Sequence, residues 1–592
     1  MRCLGGDELK VWGFDDVSVR LIVHFRCQSN IIRQQPARRL FRVAGYKAYS
    51  NPKPSSWEMN SPVTETNEST PASTKAQRGS LTIVRWLDHA IIFWLFALAL
   101  FAPHSIAATQ IAWAAALLLW VVRFLFHPRP RLSRTPVDYA LLGFFILTFI
   151  SSLFSYDQNV SIGKLRGASL FTIVYLIAQN VTSRRVLRGL ALTLVASCMI
   201  NVFYTFGERA VGRGVKVEGV AANSPLRAAV FVNESKREDP TPITSGDTIL
   251  ELNGQPLRSP DELVAALDNS GADREGVALV KIYRIEWTPV LKLPRGSLLD
   301  GATPLERLGV ASWARGRDWR ASGFYGHYTT YAEALQLIAS LALGLFIALR
   351  NKRSRSGVLL LLALMGLSGA LLMTVTRASW LAFLLSAFVI VLVGTTRRVA
   401  IIMIACALPL VLAGLFVLQR QRNISFYDQK DQSITWRETV WREGFNLLTS
   451  KPRHLLVGVG MDSIKRHWRE WDLFDQGKIP VGHMHSTPLQ LAVERGIPAL
   501  VVWIVLVIVY ARFLWRLLRS GTVVGWIERG ILLGALGGLV GFVSSGIVHY
   551  NFGDSEVVMV FYFIMGLSLA VAGEAKKRSS ETPLVKVEPQ AA

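Results

Sequence analysis

The chain has 592 residues, 51% of them hydrophobic, and Lys and Arg outnumber Asp and Glu by 65 to 42. Uncharged apolar runs such as 357–374 and 378–394 recur along it, each long enough to cross a bilayer, which excludes a soluble enzyme. The four cysteines, Cys3, Cys27, Cys198 and Cys406, form neither a CxxC metal spacing nor a disulfide framework.

Residues 1–85 are polar and basic, with Arg33, Arg38, Arg39 and Arg42 ahead of a Ser/Thr/Pro/Asn-rich stretch from Asn51 to Ser80. They lack a secretory apolar region. They read as a disordered cytoplasmic extension, or as a start assigned too early, with Met59 the alternative. Five spans follow in 86–206, at 88–105, 108–126, 138–155, 165–181 and 187–206. Residues 207–297 read as a folded module and 298–328 as a linker. Four spans occupy 329–418, at 329–349, 357–375, 378–394 and 399–418. A long polar loop, 419–486, precedes spans at 487–511, 529–548 and 555–573, and 574–592 is a tail.

Twelve spans place both termini on one side. The short loops of that side hold Arg129, Arg131, Arg134, Arg184, Arg185, Arg188, Arg350, Lys352, Arg353, Arg355, Arg397, Arg398, Arg512, Arg516, Arg519 and Arg529. The other side holds Arg377, with Lys164 and Arg166 at the head of the fourth span. This asymmetry makes the termini cytoplasmic and the two long loops external. It also accounts for most of the +23 net charge without a nucleic-acid partner.

Within 207–297, Val215, Val217 and Val220 suggest a strand. Ser245–Gly254 combines a Gly-Asp turn, an alternating strand and an Asn-Gly hairpin turn. Pro260–Leu267 is a capped amphipathic helix and Val277–Ile285 another strand. The run GDTILELNGQPLRSPDEL resembles a bacterial periplasmic PDZ domain, without a clear carboxylate-binding loop. That likeness implies a groove that takes an extended periplasmic peptide or protein segment by strand addition.

Four further stretches stand in order. They are Gly323-Phe324-Tyr325-Gly326-His327-Tyr328; Thr374-Val375-Thr376-Arg377-Ala378-Ser379; Trp436-Arg437-Glu438-Thr439-Val440-Trp441, continuing to Pro452 and Gly458-Val459-Gly460; and His485-Ser486-Thr487-Pro488-Leu489-Gln490 with Glu494-Arg495-Gly496-Ile497-Pro498. Together they resemble the O-antigen ligase/Wzy polymerase superfamily over roughly 85–573, the PDZ-like insert apart. Thr376 stands where that family usually has Ser, and Ser486 where Asn commonly follows the His. The resemblance implies a polytopic α-helical protein of about twelve transmembrane helices in the bacterial inner membrane. It further implies a glycosyltransferase that moves a glycan from undecaprenyl diphosphate to a lipid A-core acceptor at the periplasmic face. A polymerase and a protein O-oligosaccharyltransferase share the same motifs; a transporter and a non-catalytic scaffold are remoter alternatives.

Such a transfer removes a proton from the acceptor hydroxyl and stabilises a departing diphosphate. Histidine suits the first task at neutral pH and arginine the second, because its planar fork pairs with phosphate oxygens. No Asp-x-Asp or carboxylate cluster offers metal-ligand spacing, so arginines in place of a metal and no cofactor are expected. His485 is the expected base, with His483 its competitor. Arg377, Arg437, Arg166 and Lys164 are the expected diphosphate ligands. His327, Arg320, Glu438 and Glu494 are weaker candidates. Membrane lipids and the lipid-linked glycan are the expected partners.

Overall fold

The computed structural model describes residues 72–232, 238–268, 276–284, 287–422 and 432–581. The first 71 residues of the expected extension, loop residues 423–431 and the tail from 582 lie outside the described residues. In chain order the helices are α1 (Ala72–Phe101), α2 (Ile106–Arg123), α3 (Asp138–Leu153), α4 (Gln158–Gly163), α5 (Leu165–Ala168), α6 (Thr172–Asn180) and α7 (Arg184–Val211). The first long loop carries α8 (Pro260–Leu267) and α9 (Pro304–Leu308). Then come α10 (Tyr328–Ala348), α11 (Arg355–Met373), α12 (Arg377–Gly394) and α13 (Arg397–Arg422). The second long loop carries α14 (Gln432–Thr449), α15 (Pro452–Val457), α16 (Ser463–His467) and α17 (Phe474–Gly477), and α18 (Thr487–Arg519), α19 (Trp526–Gly546) and α20 (Ser555–Glu581) follow.

Among the described residues, ten helical segments are long and apolar enough to cross a membrane, as a multi-pass membrane protein requires. Two of the twelve expected spans fall outside this number. Helix α3 is apolar but has 16 residues, about 24 Å at 1.5 Å per residue. Helix α13 is continuous around Pro409, and many of its side chains lie outside the described residues. Apolar side chains such as Trp86, Phe93, Leu118, Phe203, Leu359 and Leu385 are exposed on the helix surfaces, the pattern of a lipid-facing bundle.

The fourth span differs from its expected form. Instead of one helix over 165–181, the chain steps through α4, α5 and a short 3-10 turn (Ser169–Phe171) before α6. Gly163 and Gly167 are poor helix formers. The break also leaves the Lys164 ammonium free to reach Asp462 of the second long loop, at 2.9 Å.

Helix α10 packs closely on α19 because glycines face it. A Cβ on Gly534 would sit 2.6 Å from the Leu341 Cα, and one on Gly530 equally close to the Leu345 Cα. Small residues permit such backbone approach where no hydrophobic drive separates helix from lipid. Chain direction alternates between neighbouring helices. The starts of α10, α12, α18 and α20 and the ends of α7, α11 and α19 therefore lie at one end of the bundle. At the opposite end, where the arginine-rich loops lie, Arg184 pairs with Glu528 at 2.8 Å.

The first long loop forms an eight-stranded sheet of antiparallel pairs. Its strands are β1 (Val215–Val220), β2 (Val230–Val232), β3 (Glu238–Pro240), β4 (Thr248–Leu252), β5 (Gln255–Pro256), β6 (Val277–Tyr283), β7 (Val290–Pro294) and β8 (Val310–Arg315). The order is β3-β2-β7-β6-β4-β1-β8, and β5 pairs with β4. Alternating residues bury Val215, Val217, Ile249, Val280, Ile282, Leu291 and Leu293 against Leu263 and Leu267 of α8. Asn253 and Gly254, at φ 48° and 78°, form the expected hairpin turn. The strands continue beyond residue 297, because β8 pairs with β1 along its length. A capping box of Thr303 and Glu306 starts α9 just before it. The sheet rejoins the bundle through Arg213, whose N–H donates to the Gly316 carbonyl at 2.8 Å. Nearby, the Arg209 guanidinium lies 5.0 Å above the Trp319 ring.

Candidate functional site

The turn before α18 is held from both sides. The Met484 N–H donates to Gln490 Oε1 at 2.7 Å, and its carbonyl accepts the Trp441 indole N–H at 2.9 Å. His485 follows at φ 46°, a left-handed conformation that side chains other than glycine rarely adopt. Its own N–H donates to His483 Nδ1 at 3.1 Å, so the hydrogen of a neutral His483 sits on Nε2. The two rings lie 4.4 Å apart. Thr487 then donates through its N–H (3.0 Å) and its hydroxyl (3.1 Å) to the His549 carbonyl. On α14, Arg437 donates through Nε to the Val548 carbonyl at 3.2 Å. Residues distant in sequence, Arg437, His483–His485 and His549, thus meet at one point.

Burial pushes both loop histidines down, His483 to about 4 and His485 to about 2, and the Arg437 charge adds to both. Both imidazoles are therefore neutral at neutral pH. An anion bound among these groups would cancel part of the Coulomb effect and leave the larger effect of burial in place.

Arg377 begins α12 and is half-buried. The preceding turn has Val375 at φ 52°, and Arg320 holds it there. Arg320 donates to the Thr374 carbonyl at 3.2 Å and to the Val375 carbonyl at 2.6 Å, and its guanidinium carbon lies 3.6 Å from the Tyr328 ring centre. Arg320 thereby positions the turn that carries Arg377. His327 precedes the first turn of α10, makes no side-chain capping bond there, and stacks on Tyr328 with ring centres 4.7 Å apart.

Beside this cluster lies a cavity of about 290 Å³. Its lining includes Lys164, Arg166, Lys465, His483, Arg495 and Asp554. Lys164 and Lys465 both pair with Asp462, at 2.9 and 3.0 Å. Arg495 is buried over Phe144, and its Nε and Nη1 have no hydrogen-bond partner among the described residues. Burial raises the Asp554 carboxyl to about 7, offset in part by the Thr330 hydroxyl that donates to it at 2.8 Å. His483 joins the cavity to the histidine cluster. His485, Arg377, Arg437, Arg320 and His327 do not line it.

Glu494 also borders the cavity, and its bonds are those of a clamp. Its carboxylate accepts the Asp462 N–H at 2.9 Å and the Tyr550 hydroxyl at 3.3 Å. Its carbonyl accepts the Gly460 N–H at 2.8 Å. Gly458 and Gly496 make this docking possible. Both have positive φ, and a Cβ on either would strike the backbone of the other segment. The Gly-Val-Gly and Glu-Arg-Gly-Ile-Pro stretches thus pack on each other and kink α18 at Gly496. Glu438 is exposed on α14.

Residues 360–504 match the family model described as O-Antigen ligase. The matched stretch contains Arg377, Arg437, His483, His485 and Glu494. It supports glycosyl transfer of the ligase and polymerase kind and a membrane-embedded enzyme acting on lipid- and glycan-linked substrates. No curated protein matched the chain. Among the described residues, no group of three or more His, Cys, Asp or Glu side chains is placed to hold a metal ion.

The sequence did not mark Glu333, His549, Lys465 or Asp554, and it showed Arg495 only as part of the Glu494–Pro498 stretch, with no role at the site. Glu333 had a visible signal, a carboxylate inside an otherwise apolar span. His549 and Asp554 flank the Tyr-Asn-Phe-Gly turn between two spans, where sequence spacing shows no partner.

Proposed function

We propose that the protein transfers a glycan from undecaprenyl diphosphate to a lipid A-core acceptor at the periplasmic face of the bacterial inner membrane. The carrying observation is the convergence of Arg437, His485 and the His549 turn at the bundle end where the Arg377 turn also lies. In this reading Arg377 and Arg437 grip the diphosphate, and Lys164 and Arg166 attract it into the adjoining cavity. His485 accepts the proton of the acceptor hydroxyl as its oxygen attacks the anomeric carbon. Burial is the main cause that holds the His485 imidazole low, and the diphosphate offsets the smaller contribution of the Arg437 charge. Arginines take the place a metal has in other glycosyltransferases. The sheet is proposed as a PDZ-like periplasmic insert, and the side of β8 away from β1 offers an edge for an extended peptide.

Ligase and polymerase differ in what builds up when the protein is absent. A deletion strain should accumulate completed lipid-linked polymer, measured by mass spectrometry of extracted glycolipids. Accumulation of single lipid-linked repeats would assign the polymerase reaction instead. An unchanged glycolipid profile would count against both.

A further inference from the structure

Glu333 has no exposed surface, and its carboxylate collects four donors. They are His549 Nδ1–H at 2.8 Å, the Ser545 hydroxyl at 2.6 Å, the Ser379 hydroxyl at 3.2 Å and the Asn551 amide at 3.4 Å. A carboxylate within an apolar bundle carries a desolvation cost that such bonds must offset. The pairing fixes the His549 hydrogen on Nδ1 and leaves Nε2 to exchange a proton. Nε2 has no hydrogen bond among the described residues, and about 8% of the residue's surface is exposed. This is a base oriented by a third group. The His485 ring, in contrast, has no side-chain hydrogen bond among the described residues, and its imidazolium would stand near the Arg437 guanidinium. The two histidine segments are tied together through Thr487.

We propose that the proton leaving the acceptor hydroxyl comes to rest on His549 Nε2, with the Glu333 carboxylate balancing the imidazolium charge. The proposal rests on the transferase reading above. The acceptor O–H bond breaks, and its oxygen bonds to the anomeric carbon. The bond from that carbon to the diphosphate breaks, and its electron pair leaves with the diphosphate. The proton passes by way of His485 to His549, so no redox partner is needed. Among the described residues, the other charged and titratable groups about His549 include His327 at the start of α10, His483 and His485 before α18, Arg437 from α14, and Tyr550 and Asp554 from its own turn. Glu333 is the anion in direct hydrogen-bond contact with the ring.

The test uses full-length wild type, Glu333→Gln, Glu333→Asp, His549→Gln and the Glu333→Gln/His549→Gln double variant in liposomes with lipid-linked glycan and acceptor. Turnover is followed from about pH 5 to 9. His549→Gln should lower kcat by about 10²-fold. Glu333→Gln should lower it by roughly 10-fold and move the acid limb of kcat/KM to lower pH, because the imidazolium has lost its counter-charge. Glu333→Asp, which keeps the charge, should leave that limb in place. The double variant should be no slower than His549→Gln alone, as for groups acting as one unit. Additive losses, or an unmoved limb in a folded Glu333→Gln, would mark the pair as structural and overturn the proposal. If Glu333→Gln does not fold, wild-type-like kcat in His549→Gln overturns it independently. A wild type that makes no glycan product would instead defeat the transferase reading itself, and the relay with it.

Discussion

Alanine at His485 should lower turnover by about 10²–10⁴-fold, the usual contribution of a general base, while donor binding stays near wild type. The side chain is half-buried in a turn whose neighbours, Met484 and Thr487, carry the hydrogen bonds that hold the fold. Removing the imidazole therefore leaves the scaffold bonded. His483→Ala is the necessary comparison, since His483 accepts the His485 N–H and supports its strained backbone. A smaller loss is expected there. Steady-state kinetics on the two variants in lipid decides the assignment. Wild-type turnover in His485→Ala with loss in His483→Ala would exchange the two roles.

Arg377→Ala should cost roughly 1.5–3 kcal/mol, a loss of about 10- to 150-fold, because it removes a charge-assisted contact to the diphosphate. Arg377 begins α12, so the positive end of the helix dipole reinforces its charge. The loss should appear in kcat/KM for the lipid-linked donor and not in acceptor KM. Arg377→Lys should recover only part of it, since an ammonium has no planar fork. Equal kinetics in wild type, Arg377→Ala and Arg377→Lys would remove Arg377 from the donor site.

What the sequence disclosed is what local rules govern. The apolar runs gave helices near their expected bounds, the Asn253-Gly254 turn appears as expected, and the helix Pro260–Leu267 keeps its bounds although Ser259 makes no side-chain capping bond. The arginine-rich loops gather at the end of the bundle opposite the motif residues. Long-range matching was not legible. Strand β8 reads as linker until β1 pairs with it. The docking of Gly458 on Glu494 depends on a missing Cβ 36 positions away in the chain. The fourth span looked like one helix because hydropathy does not register that Lys164 has a carboxylate to reach in a distant loop. Glu333 and His549 were separated by 216 residues, and only the glycine-lined contact of α10 with α19 brings them together.

Direct product formation tests glycosyl transfer from a polyprenyl-diphosphate donor. Purified protein in liposomes would receive an undecaprenyl-diphosphate-linked labelled glycan and a lipid A-core acceptor, with chelator in excess. Labelled glycan on the acceptor and one free undecaprenyl diphosphate per transfer, both unaffected by chelator, are the predicted result. No product with or without added divalent metal would contradict glycosyl transfer, and product only on adding metal would contradict the arginine-based mechanism.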